Sequence, residues 1–249
     1  MNTSADDEAR LAASSVLVVG VGGLGCPAAL ALARGGVGRL VLSDDDVVDV
    51  TNLHRQILFS DSDVGRDKLD AAEEALREHG FRGELELVRS RLLPDNARAL
   101  VRSVDVVVEG ADNFATKFLA ADACCLERRP LVHGSAVRFR ATAWAVGGGG
   151  RPCYRCLFED VPYGEVQAGC AEAGVMGPVA GVAGALMADL ALCIAAGRSP
   201  FGWVHTYDGL SDRLRSVEVP PRKDCPLCGQ ARGIFEIDET RYTGAICAA

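Results

Sequence analysis

Basic residues are scarce in this chain. Its 249 residues include 26 Lys and Arg against 34 Asp and Glu, which gives a formal net charge of -8 at pH 7. A protein that binds nucleic acid needs a basic face to neutralise the phosphates, so this charge disfavours nucleic acid as a partner. It does not exclude a small nucleotide, for which a few well-placed cations suffice.

The N-terminal segment lacks the apolar core of a secretion signal. Met1 to Glu8 are polar and acidic, whereas a signal peptide needs about 7–15 apolar residues in a row. We therefore expect a cytoplasmic protein whose ten cysteines are reduced thiols rather than disulfides. Aromatic residues are also few, at 6%, but the 49% of hydrophobic residues is ordinary for a globular enzyme.

Long apolar runs are rare too, and the exception lies between Val175 and Ala196. Asp189 is the sole charged residue of that run. The run contains more Ala and Gly than Leu and includes Pro178, and a carboxylate at the centre of a bilayer costs about 2.5–3.5 kcal/mol on insertion scales. These features argue against a membrane span. The small residues favour a helix that packs closely in the core or at a subunit interface.

The rest of the chain alternates short β-branched runs with longer helical segments, which is the pattern of a parallel α/β fold. The predicted strands are Val16 to Val19, Leu40 to Leu42, Leu85 to Val88, Val104 to Val108 and Leu131 to His133. The predicted helices are Cys26 to Arg34, Lys68 to His79 and Phe114 to Leu126. From Ala141 onward shorter apolar runs, such as Trp203 to Tyr207 and Leu214 to Val219, predict antiparallel strands.

These patterns predict a Rossmann-like fold, with a doubly wound, mainly parallel sheet and an antiparallel C-terminal portion. A single domain is expected over residues 1–249. Its nucleotide-binding core covers about 14–135, a second part covers about 136–230, and a tail covers 231–249.

A glycine-rich turn follows the first predicted strand and opens directly into a helix. It contains Gly20, Gly22, Gly23 and Gly25, and glycines let backbone N–H groups approach phosphate oxygens at a helix N-terminus. Asp44 lies 19 residues after Gly25, where a carboxylate accepts ribose hydroxyls in an NAD-dependent enzyme. The turn does not choose between nucleotides. A dehydrogenase, and glycines used only for strand–helix packing, are therefore alternatives.

Polar side chains beyond other strand ends favour ATP. Arg55 and Lys68 supply cations for a triphosphate, and Asp112 follows a predicted strand, where it can hold Mg²⁺. Phosphoryl transfer needs cations that neutralise the phosphates and a carboxylate that holds the metal, whereas hydride transfer does not. A solvated surface charge explains each residue equally well alone, so the interpretation depends on the combination.

Two Cys-x-x-Cys pairs lie downstream, Cys153 with Cys156 and Cys225 with Cys228. A two-residue spacer lets both sulfurs of a pair face one metal, and two pairs complete a tetrahedral zinc site made of four cysteines. A redox dithiol and unrelated surface cysteines are the alternatives. We expect a structural zinc that joins two distant segments.

Taken in order, these motifs resemble the HesA/MoeB/ThiF family, bacterial relatives of ubiquitin-activating enzymes. The set includes Asp-x-Val-x-x-x-Asn-Leu-x-Arg-Gln from Asp46 to Gln56, the pair Asp112-Asn113, and a Cys-Ala-Glu-Ala-Gly-Val-Met-Gly-Pro segment that starts at Cys170. The resemblance covers nearly the whole chain. It implies an ATP-dependent adenylyltransferase that works as a homodimer on the C-terminal glycine of a small ubiquitin-like sulfur carrier ending in Gly-Gly.

The resemblance also implies roles for individual residues. Asp46, with Asp44 as the weaker candidate, would bind the ribose, and the glycine turn would bind the phosphates. The residues it assigns to the triphosphate and its Mg²⁺ are Asn52, Arg55, Lys68, Asp112 and Asn113.

Cys170 is the candidate thiol nucleophile. It is expected in a long crossover loop between Leu157 and Gly174, and it resembles a cysteine that, in some branches of the family, joins the carrier or takes part in sulfur transfer. In other branches a separate sulfurtransferase receives the adenylate. An exposed cysteine without a role is the alternative.

One departure from the family concerns the N-terminal segment. Relatives usually carry a helix there whose arginine reaches the partner subunit's ATP, whereas Arg10 is the sole arginine before Val16. Either the start of the sequence is truncated, or Arg10 substitutes for that arginine, or the contribution is missing. A scaffold that binds the carrier without activating it is therefore an alternative function. No sulfurtransferase-like segment follows the second cysteine pair, so we expect sulfur to come from another protein.

Overall fold

The computed structural model describes residues 4–161 and 174–242. The strands in these ranges are β1 (Ser15–Val19), β2 (Arg39–Ser43), β3 (Glu84–Val88), β4 (Val106–Glu109), β5 (Leu131–Val137), β6 (Arg140–Val146), β7 (Trp203–Asp208) and β8 (Arg213–Glu218). The helices are α1 (Ala5–Ala13), α2 (Gly25–Arg34), α3 (Lys68–Glu78), α4 (Ala97–Arg102), α5 (Phe114–Leu126), α6 (Tyr154–Leu157) and α7 (Gly177–Ala195).

All eight strands form one mixed sheet in the order β3-β2-β1-β4-β5-β6-β7-β8. The strands from β3 to β5 pair in parallel, and β6, β7 and β8 pair antiparallel. The predicted mainly parallel core with an antiparallel C-terminal portion is confirmed. Strand order reverses at β1, which lies between β2 and β4, and open α/β sheets bind ligands in the crevice at such a reversal.

Helices cover both faces of the sheet because successive strand residues point to opposite sides. Val16 and Val18 of β1 belong to a core with α2, α3 and α7. Leu17 and Val19 belong to a second core with α4 and α5. The parallel strands β1, β2 and β4 are therefore buried on both faces, which explains why they read as continuous apolar runs. The edge strand β3 is half-exposed and alternates Glu with Leu.

Helix α7 is the apolar run of the sequence. It has 19 residues and a mean hydropathy of 1.9, which would suit a membrane span by length and composition. Among the described residues it is the one helix with these properties. One face packs on α2 and on strands β4, β5 and β6, and Met187 and Ala188 are buried there. A core helix passes the same test of length and composition, so this packing agrees with the predicted core helix.

Some boundaries differ from the sequence-based prediction. β4 begins at Val106 rather than Val104, β5 continues to Val137, and helices α1 and α4 were not predicted. α1 is short and depends on a capping box between Ser4 and Asp7, and α4 has only six residues. Helices of this length have weak sequence signals because packing, more than propensity, stabilises them.

Candidate active site

The glycine turn connects β1 to α2 at the carboxyl edge of the sheet. Gly20 has a φ of 83°, a conformation that residues with a Cβ rarely adopt. A Cβ at Gly25 would lie 1.9 Å from the Gly20 carbonyl oxygen, so no other residue fits there without moving the turn. No side chain caps the N-terminus of α2 at Leu24. The N–H of Cys26 donates to the Gly22 carbonyl at 2.9 Å and Pro27 has no N–H, so the backbone N–H groups that an anion could reach lie in the turn from Gly22 to Gly25.

Asp44 braces this turn from the end of β2. Its carboxylate accepts hydrogen bonds from the backbone N–H of Val21, at 2.7 Å, and of Asp46, at 2.9 Å. The side chain that an NAD enzyme would use for the ribose is therefore engaged with the protein backbone. Its role as a weaker ribose candidate stays a prediction.

Asp46 faces solvent and two cations. Its carboxylate is 2.9 Å from the Nζ of Lys68 and 3.3 Å from the guanidinium of Arg91. Burial alone would raise the pKa of Asp46, but these two cations lower it below its usual value. The carboxylate is therefore ionised at neutral pH, and it fixes the ammonium group of the almost fully buried Lys68 at the edge of the site.

Arg55 lies directly against the glycine turn. A Cβ at Gly23 would be 3.2 Å from the Arg55 side chain, so the missing side chain makes room for this arginine. The Arg55 guanidinium donates a hydrogen bond to the amide oxygen of Asn52 and is 3.3 Å from Nε2 of His54. The predicted contacts of Asn52 and Arg55 with the triphosphate stay predictions.

Asp112 and Asn113 follow β4, the next strand on the other side of β1. Asp112 is exposed and, among the described residues, makes no hydrogen bond or ion pair, so its carboxylate is available as a ligand. Asn113 accepts a hydrogen bond from the backbone N–H of Thr116 at 2.8 Å and caps α5. A direct contact between Asn113 and nucleotide stays a prediction.

A buried charged cluster beneath Asp112 was not predicted. Glu109 is fully buried at the end of β4 and accepts hydrogen bonds from the ammonium of Lys117, at 3.1 Å, and the N–H of Ala111, at 2.6 Å. Its Oε2 is 3.1 Å from Nδ1 of His133, and Lys117 also donates to the carbonyl of Gly134 at 2.6 Å. Burial would raise the pKa of Glu109, but Lys117 and His133 lower it below its usual value.

A cavity of about 310 Å³ opens between this cluster and the glycine turn. Asp112, Lys117 and His133 line it on one side. Apolar side chains of α5, β6, α6 and β7 make most of the remaining wall, among them Phe114, Trp144, Tyr154, Phe158 and Val204. The cavity therefore suits a short, largely apolar segment that ends in a polar group near Asp112.

The four predicted zinc ligands come together in the fold. Sγ of Cys153 is 3.5 Å from Sγ of Cys225, and Sγ of Cys156 is 3.5 Å from Sγ of Cys228. All four sulfurs lie within 4.8 Å of one another and are buried. Zn–S bonds of about 2.3 Å in a tetrahedron require sulfur separations of about 3.8 Å, so the cluster fits Zn²⁺.

Arg155, between the first two cysteines, anchors this cluster to α5. It is 2% exposed, donates two hydrogen bonds of 2.8 Å to the Asp122 carboxylate, and also contacts Asp160 at 3.0 Å. Tyr242 donates a further hydrogen bond of 2.6 Å to Asp122. Burial lowers and the two carboxylates raise the pKa of Arg155, with a net rise, so the guanidinium stays charged.

The chain matches the ThiF family over residues 1–227, which is most of its length. The chain belongs to the ThiF family. The resemblance drawn from its motifs is therefore confirmed.

Curated relatives of this ThiF-family chain include proteins of animals and archaea. The adenylyltransferase and sulfurtransferase MOCS3 of Sus scrofa is 43% identical over 233 residues, which are 92% of this chain and 51% of that protein. The SAMP-activating enzyme E1 of Haloferax volcanii is 38% identical over 239 residues, 95% of this chain and 88% of that protein. The chain spans about half the length of the MOCS3 relatives that it matches.

Solved structures with the same fold include E. coli MccB. A crystal structure of MccB with MccA-N7isoASN superposes with a TM-score of 0.79 at 24% identity, covering 90% of this chain and 69% of that chain. At this identity the likeness shows the fold alone.

Of the other predicted residues, Arg10 does not join the site of this ThiF-family chain, and Cys170 cannot be placed. Cys170 and most of the predicted crossover loop lie outside the described residues. Arg10 forms an ion pair with Asp6 at 3.1 Å and lies over Gly197. It therefore sits at the opposite edge of the sheet from the glycine turn of its own chain, because α1 precedes the amino end of β1.

Proposed function

We propose that this chain is an ATP-dependent adenylyltransferase that activates the C-terminal glycine of a small ubiquitin-like sulfur carrier. The observation that carries the proposal is the convergence of the glycine turn, the cations Arg55 and Lys68 and the exposed carboxylate of Asp112 at one crevice. These groups follow β1, β2 and β4, which are adjacent in the sheet. The names of the MOCS3 and SAMP-activating relatives support it.

Strand order predicts how ATP lies in the crevice. Neighbouring strands are about 4.8 Å apart, so Asp46 after β2, the glycine turn after β1 and Asp112 after β4 span roughly 10 Å. The ribose would bind at Asp46, the phosphates at the turn and the α-phosphorus towards Asp112. Arg55 and Lys68 would neutralise the β- and γ-phosphates, and Asp112 would hold Mg²⁺, which withdraws charge from phosphate oxygens.

The reaction needs no general base. A C-terminal carboxyl has an ordinary pKa of about 3.3–3.7, so it is an ionised nucleophile at neutral pH. Its oxygen forms a bond to the α-phosphorus while the bond from that phosphorus to the bridging oxygen breaks, which gives an acyl adenylate and pyrophosphate. The protein positions the carboxylate and stabilises charge on the leaving pyrophosphate, for which Arg55 and Lys68 are placed.

The cavity beside Asp112 would receive the carrier's C-terminal segment. It lies on β5 and β6, so it approaches the α-phosphorus from the side opposite the ribose. Its apolar walls exclude water, which protects an acyl adenylate from hydrolysis. Asp112 would lie beside the point where the carrier's terminal carboxylate meets the nucleotide.

We further propose a structural zinc at the four cysteines, a homodimer, and a cytoplasmic location in which the thiolates stay reduced. The zinc would hold Cys153, which precedes α6, and Cys156 of α6 against Cys225 and Cys228. Sulfur transfer after adenylation would involve Cys170 or a separate sulfurtransferase.

ATP–pyrophosphate exchange tests the proposal. The purified chain should incorporate labelled pyrophosphate into ATP only when a recombinant ubiquitin-fold carrier ending in Gly-Gly is added. The same carrier without its last two residues serves as the control, and Asp112→Asn should abolish the exchange. Binding of ATP and carrier without exchange would support a scaffold instead, and retained NAD with hydride transfer would support a dehydrogenase.

A further inference from the structure

Two buried side chains that line the cavity keep a ring nitrogen without a partner among the described residues. These atoms are Nε2 of His133 and Nε1 of Trp144. His133 is 4% exposed and Trp144 is 3% exposed. An unsatisfied buried polar atom costs free energy, so native proteins rarely keep one without a function or a ligand.

The contact with Glu109 fixes which nitrogen of His133 carries the proton. An ionised carboxylate only accepts hydrogen bonds, so Nδ1, at 3.1 Å from Glu109, must donate. Burial lowers the pKa of His133 below its usual value despite the opposing effect of Glu109. The imidazole is therefore neutral at pH 7, and its Nε2 is a hydrogen-bond acceptor. Trp144 Nε1 can only donate.

The two rings are placed as a pair. His133 of β5 and Trp144 of β6 are direct partners in the antiparallel register, and their ring centroids are 6.2 Å apart. An extended peptide presents the N–H and C=O of one residue on the same side, as in a hydrogen-bonded antiparallel pair. Both residues line the cavity, and together they offer the one acceptor and the one donor that such a peptide residue requires.

We propose that His133 and Trp144 position the substrate by binding the N–H and C=O of one residue in the carrier's extended C-terminal segment. This inference rests on the proposed function and names the residues that would recognise the carrier's C-terminal segment. His133 Nε2 accepts from the peptide N–H, and Trp144 Nε1 donates to the carbonyl. Glu109 is the positioning group behind His133, because it holds the tautomer that leaves Nε2 free. The terminal carboxylate then lies towards Asp112.

Substitutions that remove one hydrogen bond each test this pairing. Trp144→Phe keeps the aromatic ring and loses the donor, and His133→Asn keeps a donor towards Glu109 and loses the Nε2 acceptor. Each should raise the KM for a recombinant Gly-Gly carrier about three- to tenfold, the worth of one neutral hydrogen bond. The KM for ATP and kcat should change less than twofold. Trp203→Phe is the matched control, since Trp203 lies on the face of the sheet opposite Val204 and the cavity.

A binding measurement separates positioning from a structural role. In ¹⁵N-labelled protein the two tryptophans give two indole N–H signals, and Trp203→Phe assigns that of Trp144. Adding the Gly-Gly carrier should move the Trp144 signal downfield, and the carrier without its last four residues should leave it in place.

The outcomes separate the two proposals. If wild-type protein catalyses carrier-dependent exchange while the Trp144 signal stays fixed and both variants keep the wild-type KM, this inference is wrong and the proposed function stands. If wild-type protein shows no exchange with any Gly-Gly carrier, the proposed function fails and this inference fails with it. Since the signal is measured in protein with an intact cavity, an unstable His133→Asn variant does not prevent the decision.

Discussion

The chain has few lysines, and the positions of two of them bear on the proposed active site. The chain has three lysines, and two of them, Lys68 and Lys117, are buried beside the crevice. Each is paired with a carboxylate, Asp46 in one case and Glu109 in the other. A buried ammonium is retained only when it is paired. Both cations are therefore held in place before a substrate arrives.

Lys68→Ala should lower carrier-dependent pyrophosphate exchange by about 10²–10³, because it removes charge stabilisation of the leaving group. Thermal unfolding of the variant should stay cooperative. Lys223→Ala, at the exposed third lysine, is the matched control and should exchange at the wild-type rate. Equal rates for both variants would show that Lys68 does not act on the phosphates.

The ion pairs of Glu127 make the free energy of unfolding depend on pH. At the end of α5 Glu127 pairs with Arg98, at 2.5 Å, and with Arg102, at 2.8 Å. Hydrogen bonds from Arg102 and Arg98 lower the pKa of Glu127 to about 2. A carboxyl with a depressed folded-state pKa stabilises the fold above its unfolded pKa of about 4.3. That contribution is lost as pH falls towards the folded value.

Glu127→Gln should therefore lower the free energy of unfolding by about 1–2 kcal/mol at pH 7, after allowance for solvent screening. The difference from wild type should shrink as pH falls from about 4.3 towards 2. Urea unfolding at pH 7, 4 and 3 measures it. A difference that is constant over this range would exclude the ionised pair as its cause.

Among the secondary-structure elements, one buried ion pair ties the cysteine cluster to the α/β core. Arg155 of α6 and Asp122 of α5 are 2% and 0% exposed. Tyr242 reaches the same carboxylate from the segment predicted as a tail. Three stretches of chain therefore meet at the Asp122 carboxylate. Removing the Arg155 guanidinium would leave this carboxylate charged and buried without its cation.

Arg155→Ala should destabilise the protein by about 3–5 kcal/mol, since an unpaired buried carboxylate remains. Arg222→Ala is the control, because Arg222 pairs with the exposed Asp224 and Glu159 and such pairs contribute about 0–1 kcal/mol. Chemical unfolding of both variants gives the comparison. Similar losses would mean that the buried pair contributes no more than a surface pair.

Across the molecule as a whole, the cysteine cluster joins two segments about seventy residues apart, on one face of the sheet and beyond the nucleotide crevice. Cys153 and Cys156 precede the undescribed residues 162–173, and Cys225 and Cys228 follow the antiparallel strands. A metal that bridges them would restrain both segments at once, so we expect it to affect global stability more than nucleotide contact.

Elemental analysis should find about one zinc per chain, and Cys225→Ser should lower both the zinc content and the Tm. Cys193→Ser, on α7 and outside the cluster, should change neither. Nucleotide binding, measured by calorimetry with ATP, should persist in Cys225→Ser if it remains folded. A disulfide within either pair, in metal-free protein purified under reducing conditions, would contradict the zinc site.

Features that depend on local pattern could be predicted from the amino-acid sequence. Apolar runs of the right length predicted the central parallel strands β1, β2 and β4, because a strand buried on both faces has no polar alternation. Glycine spacing predicted the turn before α2, since Gly20 needs a positive φ and Gly25 has no room for a Cβ. Cysteine spacing predicted which four sulfurs meet.

Features that depend on register and on the face of an element emerged only in the folded chain. Glu109 and His133 are 24 residues apart, and pairing of β4 with β5 makes them neighbours. Lys117 was overlooked because one lysine in an apolar helix has no local signal. His133 faces Trp144 only through the register of β5 with β6, and a shift of one residue would turn one ring to the other face of the sheet.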